Sequence, residues 1–353
     1  MAEKILMKGN EALAEAAIMA GCRHYFGYPI TPQTEVAAYM AKRMPKIGGC
    51  FLQAESEIAA INMVIGAAAA GKRAMTSSSS PGISLKSEGI SYMAGCDLPA
   101  LIVNVQRGGP GLGGIQPSQS DYFQATRGGG HGDYHLLVLA PSSVQEMADL
   151  VATGFDLAEK YRMPCMLLAD GTMGQMMEPV ELTERKEEPI AKPWALTGTK
   201  GARKPNIINS LALEPQELEK WNEERFKRYD IVRENEQMSQ SYRMEDAEIC
   251  VVAFGIAARV SQNAVDAARA KGIKAGMIRP ITLWPFPEKA LKAAAEQCAS
   301  FISVELNMGQ MIEDVRLAIE CKRPVSLCCR TGGMIPSPDE VLAAIERAAE
   351  GGK

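Results

Sequence analysis

Three absences narrow the field before any motif is read. No run of the sequence approaches the ~20 consecutive apolar residues that span a bilayer, so no membrane-spanning role is expected. Basic residues never accumulate: 38 Lys and Arg against 42 Asp and Glu give a net charge of -4. With the signs interspersed there is no tract to follow a phosphate backbone, and nucleic acid is set aside as a partner. None of the nine cysteines forms a C-x-x-C pair, which removes the usual local frameworks for zinc and for iron-sulfur clusters, and no metal ligand set is expected. Most of these cysteines read as small buried hydrophobes; Cys22 and the pair Cys328-Cys329 stay open as reactive thiols, with nothing beside them to support it. The opening stretch MAEKILMKGNEALAEAAIMAG carries acids and lacks an uncharged apolar core. Secretion is therefore not expected, and the chain reads as cytoplasmic.

What is present is an ordinary globular composition, 46% apolar and 23% charged, in 353 residues, a length at which a single core usually splits in two. Residues 1–185 alternate helical patterns with short apolar runs, which predicts an α/β fold with a doubly wound, mainly parallel sheet. Helices are expected over Glu11–Ala20, Glu55–Ala70 and Val144–Tyr161. Strands are expected over Cys22–Gly27, Arg73–Ser77, Leu101–Val105, Leu136–Leu139 and Met166–Ala169, with a small-residue turn over Ser78–Gly82. Residues 186–245 are charge-dense and read as a connector holding one exposed helix from Gln216 to about Gln237. From 246 to 353 a second, smaller α/β unit is expected, with three strands built on ICVVAFG, AGMIRP and FISVEL.

Loops that follow strand ends in such sheets face the ligand crevice, and three unusual segments hold that position. Gly27-Tyr28-Pro29-Ile30-Thr31-Pro32 sets a threonine hydroxyl between two prolines; a stiff turn and a ligand-orienting hydroxyl are both open. In Gln53-Ala54-Glu55-Ser56-Glu57, Glu57 precedes an apolar helix, which puts an acid at the edge of a core. Capping and solvation are the bland alternatives, and a buried carboxylate that must be paired or protonated is the chemical one. Arg107 opens Gly108-Gly109-Pro110-Gly111-Leu112-Gly113-Gly114: glycines allow close backbone approach and arginine forks onto a carboxylate or phosphate, unless the loop is merely a surface loop. The order of a P-loop is absent. A fourth glycine-dense loop, Arg127–Tyr134, carries His131, with His135 beside it, as residues that could titrate or be structural.

Together GYPITPQTE, QAESEIAAINMVIGAAAAG, TSSSSPGISL, QRGGPGLGG, QPSQSDYFQATRGGGHGDYH and LADGTMGQMMEPV resemble the α subunit of 2-oxoacid:ferredoxin oxidoreductases. The resemblance runs through RPITLWPFP and GGMIPSPDE and is strongest for the 2-ketoisovalerate (3-methyl-2-oxobutanoate) group. It implies a pyrimidine-binding domain for thiamine diphosphate over 1–185 and a transketolase-C-like domain over 246–353. It also implies a β subunit that holds the diphosphate and Mg, small γ and iron-sulfur δ-type subunits, and ferredoxin as electron acceptor. No GDG followed by NN occurs here, since Ala169-Asp170-Gly171 continues as TMGQMMEP. By the same resemblance Glu57 bonds N1' of the aminopyrimidine, Thr31 and Arg107 contact substrate, and Pro29, Ile30, Gly108 and Gly109 contact the cofactor. The implied activity is oxidative decarboxylation of a branched-chain 2-oxo acid with CoA, the clusters residing on other subunits. A 2-oxoglutarate enzyme, for which Arg127 is the one additional cation in reach, and a non-catalytic assembly subunit are the alternatives.

Overall fold

The computed structural model describes residues 4–183 and 190–351; the expected boundary at 185 and the run RKEEP lie outside the described residues. In chain order the first half runs β1 (Ile5–Lys8), α1 (Gly9–Met19), β2 (His24–Gly27), α2 (Thr34–Arg43), β3 (Cys50–Gln53), α3 (Glu57–Ala69), β4 (Ala74–Ser78) and α4 (Ser80–Gly95). It continues through β5 (Leu101–Gln106), α5 (Tyr122–Thr126), β6 (Leu137–Leu139), α6 (Val144–Tyr161), β7 (Cys165–Asp170), α7 (Gly171–Gln175) and β8 (Met177–Val180). A long helix α8 (Pro215–Asn235) and β9 (Ser239–Tyr242) lead into β10 (Ile249–Ala253), α9 (Gly255–Ala270), β11 (Ala275–Pro280) and β12 (Thr282–Trp284). Last come α10 (Glu288–Gln297), β13 (Ser300–Glu305), α11 (Met311–Ala318), β14 (Val325–Cys329) and α12 (Pro338–Gly351).

The main sheet has seven strands in the order β12-β6-β7-β5-β4-β2-β3, parallel except for β12. Its central strands β4, β5 and β7 are buried at every position, as parallel strands covered by helices on both faces must be. A second sheet orders β14-β13-β10-β11-β9, with β9 antiparallel at the edge, and β1 pairs with β8 in a two-stranded ribbon.

The second unit thus has five strands where three were expected. The two additions are edge strands, β9 with the polar sequence SQSY and the half-exposed β14; an edge needs little apolar alternation, so neither announces itself. The Ser78–Gly82 turn is corrected as well: Ser78 ends β4 and Ser80 already opens α4, with Pro81 in its first turn. Helix α3 is not buried all round, because Ile58, Asn62 and Gly66 form an exposed stripe.

The two halves interlock. Strand β12, from the C-terminal half, completes the first sheet against β6. Asp170 Oδ1 caps α7 at the Met173 N–H while its Oδ2 accepts from the Ile256 N–H in α9. Arg279, almost wholly buried, forks onto Glu146 of α6 at 2.9 and 2.7 Å. Helix α8 lies on the first half, where Tyr229 packs with His135 and Trp284. No helix among the described residues is long and apolar enough to cross a membrane.

Candidate functional site

Because β2, β4, β5 and β7 run parallel, the segments after them meet at one edge of the main sheet. The turn after β2 is clamped from two sides: Pro32 O accepts from Asn10 of α1 at 2.8 Å and from Gln175 of α7 at 3.1 Å. Gln33, fully buried, donates to Tyr28 O and accepts from Ser77 Oγ at 2.5 Å, and the Tyr25 hydroxyl lies 2.7 Å from the same Oγ. This fixes the backbone of Thr31 while its side chain stays exposed. Pro29 is exposed and Ile30 half-buried on the same turn.

Arg107 closes on that turn. Its Nη1 donates to Thr31 O at 3.0 Å and its Nη2 to Leu112 O at 3.3 Å, so one guanidinium ties the β2 turn to the glycine loop. Its backbone N–H donates to Ser80 Oγ, which donates in turn to Asp121 Oδ2 at 2.6 Å. Burial raises the Asp121 carboxyl above the usual range, against hydrogen bonds from Ser80 and Asn104 that lower it. The guanidinium is 8% exposed, its Nε has no partner, and no carboxylate pairs with it among the described residues. A buried cation in that state seeks an anion. The glycine loop folds back as a short hairpin, Gly108 exchanging hydrogen bonds with Gln116 O and Gly114 N. Gly108 is buried against the Gly332-Gly333 backbone of the second unit, while Gly109 faces open space.

Glu57 is the first residue of α3, capped by Ser56 Oγ on the Ala59 N–H at 3.2 Å. Although 6% exposed, its carboxylate receives no hydrogen bond among the described residues. It lies against the first turn of α4: a Cβ built on Gly82 would stand 2.7 Å from Glu57 Oε1 and 2.1 Å from Ser78 Oγ, so any larger residue there must displace these side chains. The hydroxyls of Ser78 and Ser79 are buried without partners on this turn. A shielded carboxylate with spare acceptor capacity, beside small residues, fits a flat heteroaromatic ring with a ring-nitrogen proton to share.

The structure therefore joins Thr31 and Arg107 directly and links both to Glu57 through the start of α4. Asp121, Ser80 and Gly82 were not singled out in the sequence, though QPSQSDYF and TSSSSPG contain them. The histidines take no part: His131 is exposed, and His135 stacks on Trp284 with ring centroids 4.6 Å apart. Burial, then Arg233, pushes the His135 imidazole down to about 4. Arg127 is committed to Asp314 at 2.9 Å. All nine cysteines are free, and among the described residues no His, Cys, Asp and Glu side chains cluster as a metal site. A cavity of 920 Å³ opens at the far, N-terminal edge of the second sheet, lined by Glu248, Lys274 and Ser300, and contains none of these groups.

With the geometry in hand, comparison with known proteins is direct. Over 98% of its length the chain is 51% identical to the ketoisovalerate oxidoreductase subunit VorB of Methanothermobacter marburgensis, covering 97% of that protein. It is 39% identical to the 2-oxoglutarate synthase subunit KorA of Methanothermobacter thermautotrophicus, over 98% of this chain and 99% of that one. Among solved structures it resembles the 2-oxoglutarate:ferredoxin oxidoreductase of Magnetococcus marinus, which holds 2-oxoglutarate, coenzyme A and succinyl-CoA. There the TM-score is 0.86 and the identity 29%, with all of this chain matched to 66% of that one. A split-gene transketolase shares the fold, with a TM-score of 0.62 at 14% identity over 98% of each chain. Residues 15–248 match the thiamine-diphosphate-binding domain of pyruvate flavodoxin/ferredoxin oxidoreductases, and residues 247–341 match core domain II of pyruvate:ferredoxin oxidoreductase. The chain belongs to the pyruvate flavodoxin/ferredoxin oxidoreductase family.

Proposed function

We propose that this chain is the α subunit of a 2-oxoacid:ferredoxin oxidoreductase and supplies the pyrimidine half of its thiamine-diphosphate site. The reaction is 2-oxo acid, CoA and oxidised ferredoxin giving acyl-CoA, carbon dioxide and reduced ferredoxin, with 3-methyl-2-oxobutanoate as the preferred acid. The observation that carries this reading is the buried, unengaged Glu57 carboxylate against Gly82. Thiamine diphosphate, when bound, supplies the carbon nucleophile and the electron sink of decarboxylation. Glu57 accepts the hydrogen bond of the ring nitrogen N1' and holds the proton shared there. Arg107 supplies the positive charge that the substrate carboxylate pairs with, and Thr31 orients the substrate with its exposed hydroxyl. Pro29, Ile30, Gly108 and Gly109 shape the backbone that the cofactor packs against.

In this reading residues 1–185 are the pyrimidine-binding domain, 186–245 the connector and 246–353 the transketolase-C-like domain. A β subunit carries the diphosphate and its Mg, while γ and iron-sulfur δ-type subunits pass electrons to ferredoxin. The nine free cysteines suit a reducing cytoplasm. The preference for a branched-chain acid over 2-oxoglutarate is supported by the ketoisovalerate oxidoreductase relatives and by Arg127, whose pairing with Asp314 leaves it poorly placed to meet a second carboxylate.

The test is Glu57→Gln in the complete complex. Turnover of 3-methyl-2-oxobutanoate should fall about 10²–10⁴-fold, the span of a lost proton-transfer partner, with assembly intact. Turnover close to wild type would instead make the chain an assembly subunit. Side-by-side assay of 3-methyl-2-oxobutanoate, 2-oxoglutarate and pyruvate settles the acid.

A further inference from the structure

The far end of α4, roughly 20 Å along the helix from Gly82, meets the connector and α8 at a second concave site. A cavity of 320 Å³ opens there, with Asp97, Trp194, Trp221 and three arginines, Arg162, Arg225 and Arg228, in its wall. Arg225 is 7% exposed; its Nη1 donates to Asn222 Oδ1 at 2.7 Å and its Nη2 to Gly95 O at 3.1 Å. Its Nε makes no hydrogen bond and stands 3.6 Å from Asp97 Oδ1. Arg228 donates through Nη2 to that same oxygen. Arg162 follows α6 with a φ of 48°. It donates through Nε to the backbone O of Asp97 at 3.3 Å and stacks on Trp194, 4.7 Å from the ring centroid.

The charges do not balance. Asp97 gives one carboxylate oxygen to two guanidiniums and only its backbone carbonyl to the third, and among the described residues no carboxylate pairs with Arg162. The other acid in the wall, Glu224, is exposed and lies 4.0 Å from Lys220. Fastening α8 to the end of α4 accounts for the bonds of Arg225 and Arg228 to Asp97 and Gly95. It does not account for a third arginine gathered at the same carboxylate, where like charges oppose one another. Burial lowers the Arg162 guanidinium from its ordinary value, with Arg228 adding to the fall and Asp97 opposing it.

We propose that this cavity is a nucleotide-binding site, with the phosphate held by Arg162 and Arg228, Arg225 as the buried charge behind them, and the base laid against Trp221. Guanidinium forks match the oxygens of a phosphate and keep their charge at every working pH. The volume falls at the lower end of the ~300–1,000 Å³ of small-molecule sites, and aromatic walls with a few convergent polar groups are their usual lining. Trp194 already has Arg162 on its ring. Trp221 is half-buried in the wall and, among the described residues, carries no stacked ring or cation. Indole is a good platform for a base, and that flat wall beside the charges favours a nucleotide over a bare anion. A free nucleotide and the nucleotide half of CoA share this chemistry. The assignment is independent of the role given to Glu57.

The experiment is calorimetric titration of ADP, and separately of inorganic phosphate, into the whole complex. Thiamine diphosphate and Mg are kept saturating, so that the diphosphate site is filled. Wild type is compared with Arg162→Gln and Trp221→Leu. Both variants keep the bonds of Arg225 and Arg228 that fasten α8, and turnover at saturating 2-oxo acid and CoA, retained by both, verifies that the complex is intact. Wild type should bind ADP at least tenfold more tightly than phosphate. Arg162→Gln should weaken ADP by roughly tenfold or more, the worth of a hydrogen bond to a charged group. Trp221→Leu should weaken ADP by roughly tenfold through the lost stack and leave phosphate unchanged. Titration of wild type with CoA present then names the source: ADP displaced by CoA assigns the cavity to the nucleotide half of CoA, and ADP undisturbed assigns it to a free nucleotide. No binding of ADP up to ~1 mM, equal affinity for ADP and phosphate, or ADP affinity unchanged in either variant would overturn the proposal.

Discussion

Replacing Gly82 by alanine adds one methyl group at the contact between α4 and the Glu57 carboxylate, and its effect can be worked from the geometry. The backbone there is ordinary helix, so alanine meets no conformational barrier and gains up to ~1 kcal/mol in helix propensity. Against this stands the space. The new carbon would lie 2.1 Å from Ser78 Oγ and 2.7 Å from Glu57 Oε1, whereas carbon-oxygen contacts settle near ~3.4 Å. Glu57 must retreat by about 0.7 Å, or α4 must lift. Overpacking of this kind costs about 1–3 kcal/mol, so the net loss of stability should be about 0–2 kcal/mol, small enough for the subunit to fold and assemble. Catalysis is less forgiving, since a misplacement approaching 1 Å costs about 100-fold. The expected outcome is kcat lowered by about two orders of magnitude in a complex that purifies like wild type. The double variant Gly82→Ala/Ser78→Ala removes the tighter clash and leaves the one with Glu57, and should remain slow. Recovery in the double variant, or a single variant within threefold of wild type, would refute the placement of Glu57 against this turn.

Two further predictions concern the frame of the site. Arg279→Met strips Glu146 of both charged hydrogen bonds, leaving it the Ser142 N–H and hydroxyl. Because Glu146 keeps some solvent, the cost should sit below the ~3–5 kcal/mol of a fully buried broken pair, at about 2–3 kcal/mol. Urea denaturation should show this loss and its partial recovery in Arg279→Met/Glu146→Gln, and a loss under ~0.5 kcal/mol would count against a buried lock. Burial, then Arg233, pushes His135 from the ordinary imidazole value of 6.5 down to about 4 in its aromatic cage. The unfolded chain therefore binds the extra proton between those values, and stability present above 6.5 drains away as pH falls toward 4. Between pH 7 and 5 the contribution is about 1 kcal/mol after allowance for solvent at this half-buried ring. His135→Phe should keep the stack on Trp284 and lose that share of the acid sensitivity, measured as the change in urea midpoint between the two pH values.

Much of the site was legible because its signals are local. A β-branched strand running into Arg107 and glycines, and an acid heading an apolar helix, are patterns of neighbouring residues, and both stand where the pattern put them. The exposed helix expected from Gln216 is α8, starting at Pro215. The helix α4 escaped because SSSSPGIS reads as a turn, although Pro81 in a first turn is also a start signal. Arg225 escaped for a deeper reason. An arginine in a charge-dense helix looks solvent-facing, and only the docking of α8 beside Gly95 and Asp97 buries it, a fact of packing between elements. Asp121 likewise draws its role from Ser80 and Asn104, 41 and 17 residues away in the chain.

Strand β12 has a consequence for how the molecule comes into being. The edge of β6 cannot be closed until Thr282–Trp284 has left the ribosome, long after the rest of the main sheet has been synthesised. Contacts so distant in sequence form late, since a long loop must first be closed. During that interval the nascent sheet presents an open edge of the kind that recruits other strands. The C-terminal half is thus also the built-in shield of the N-terminal half. A gene split placed between them would yield two products that must meet promptly or aggregate.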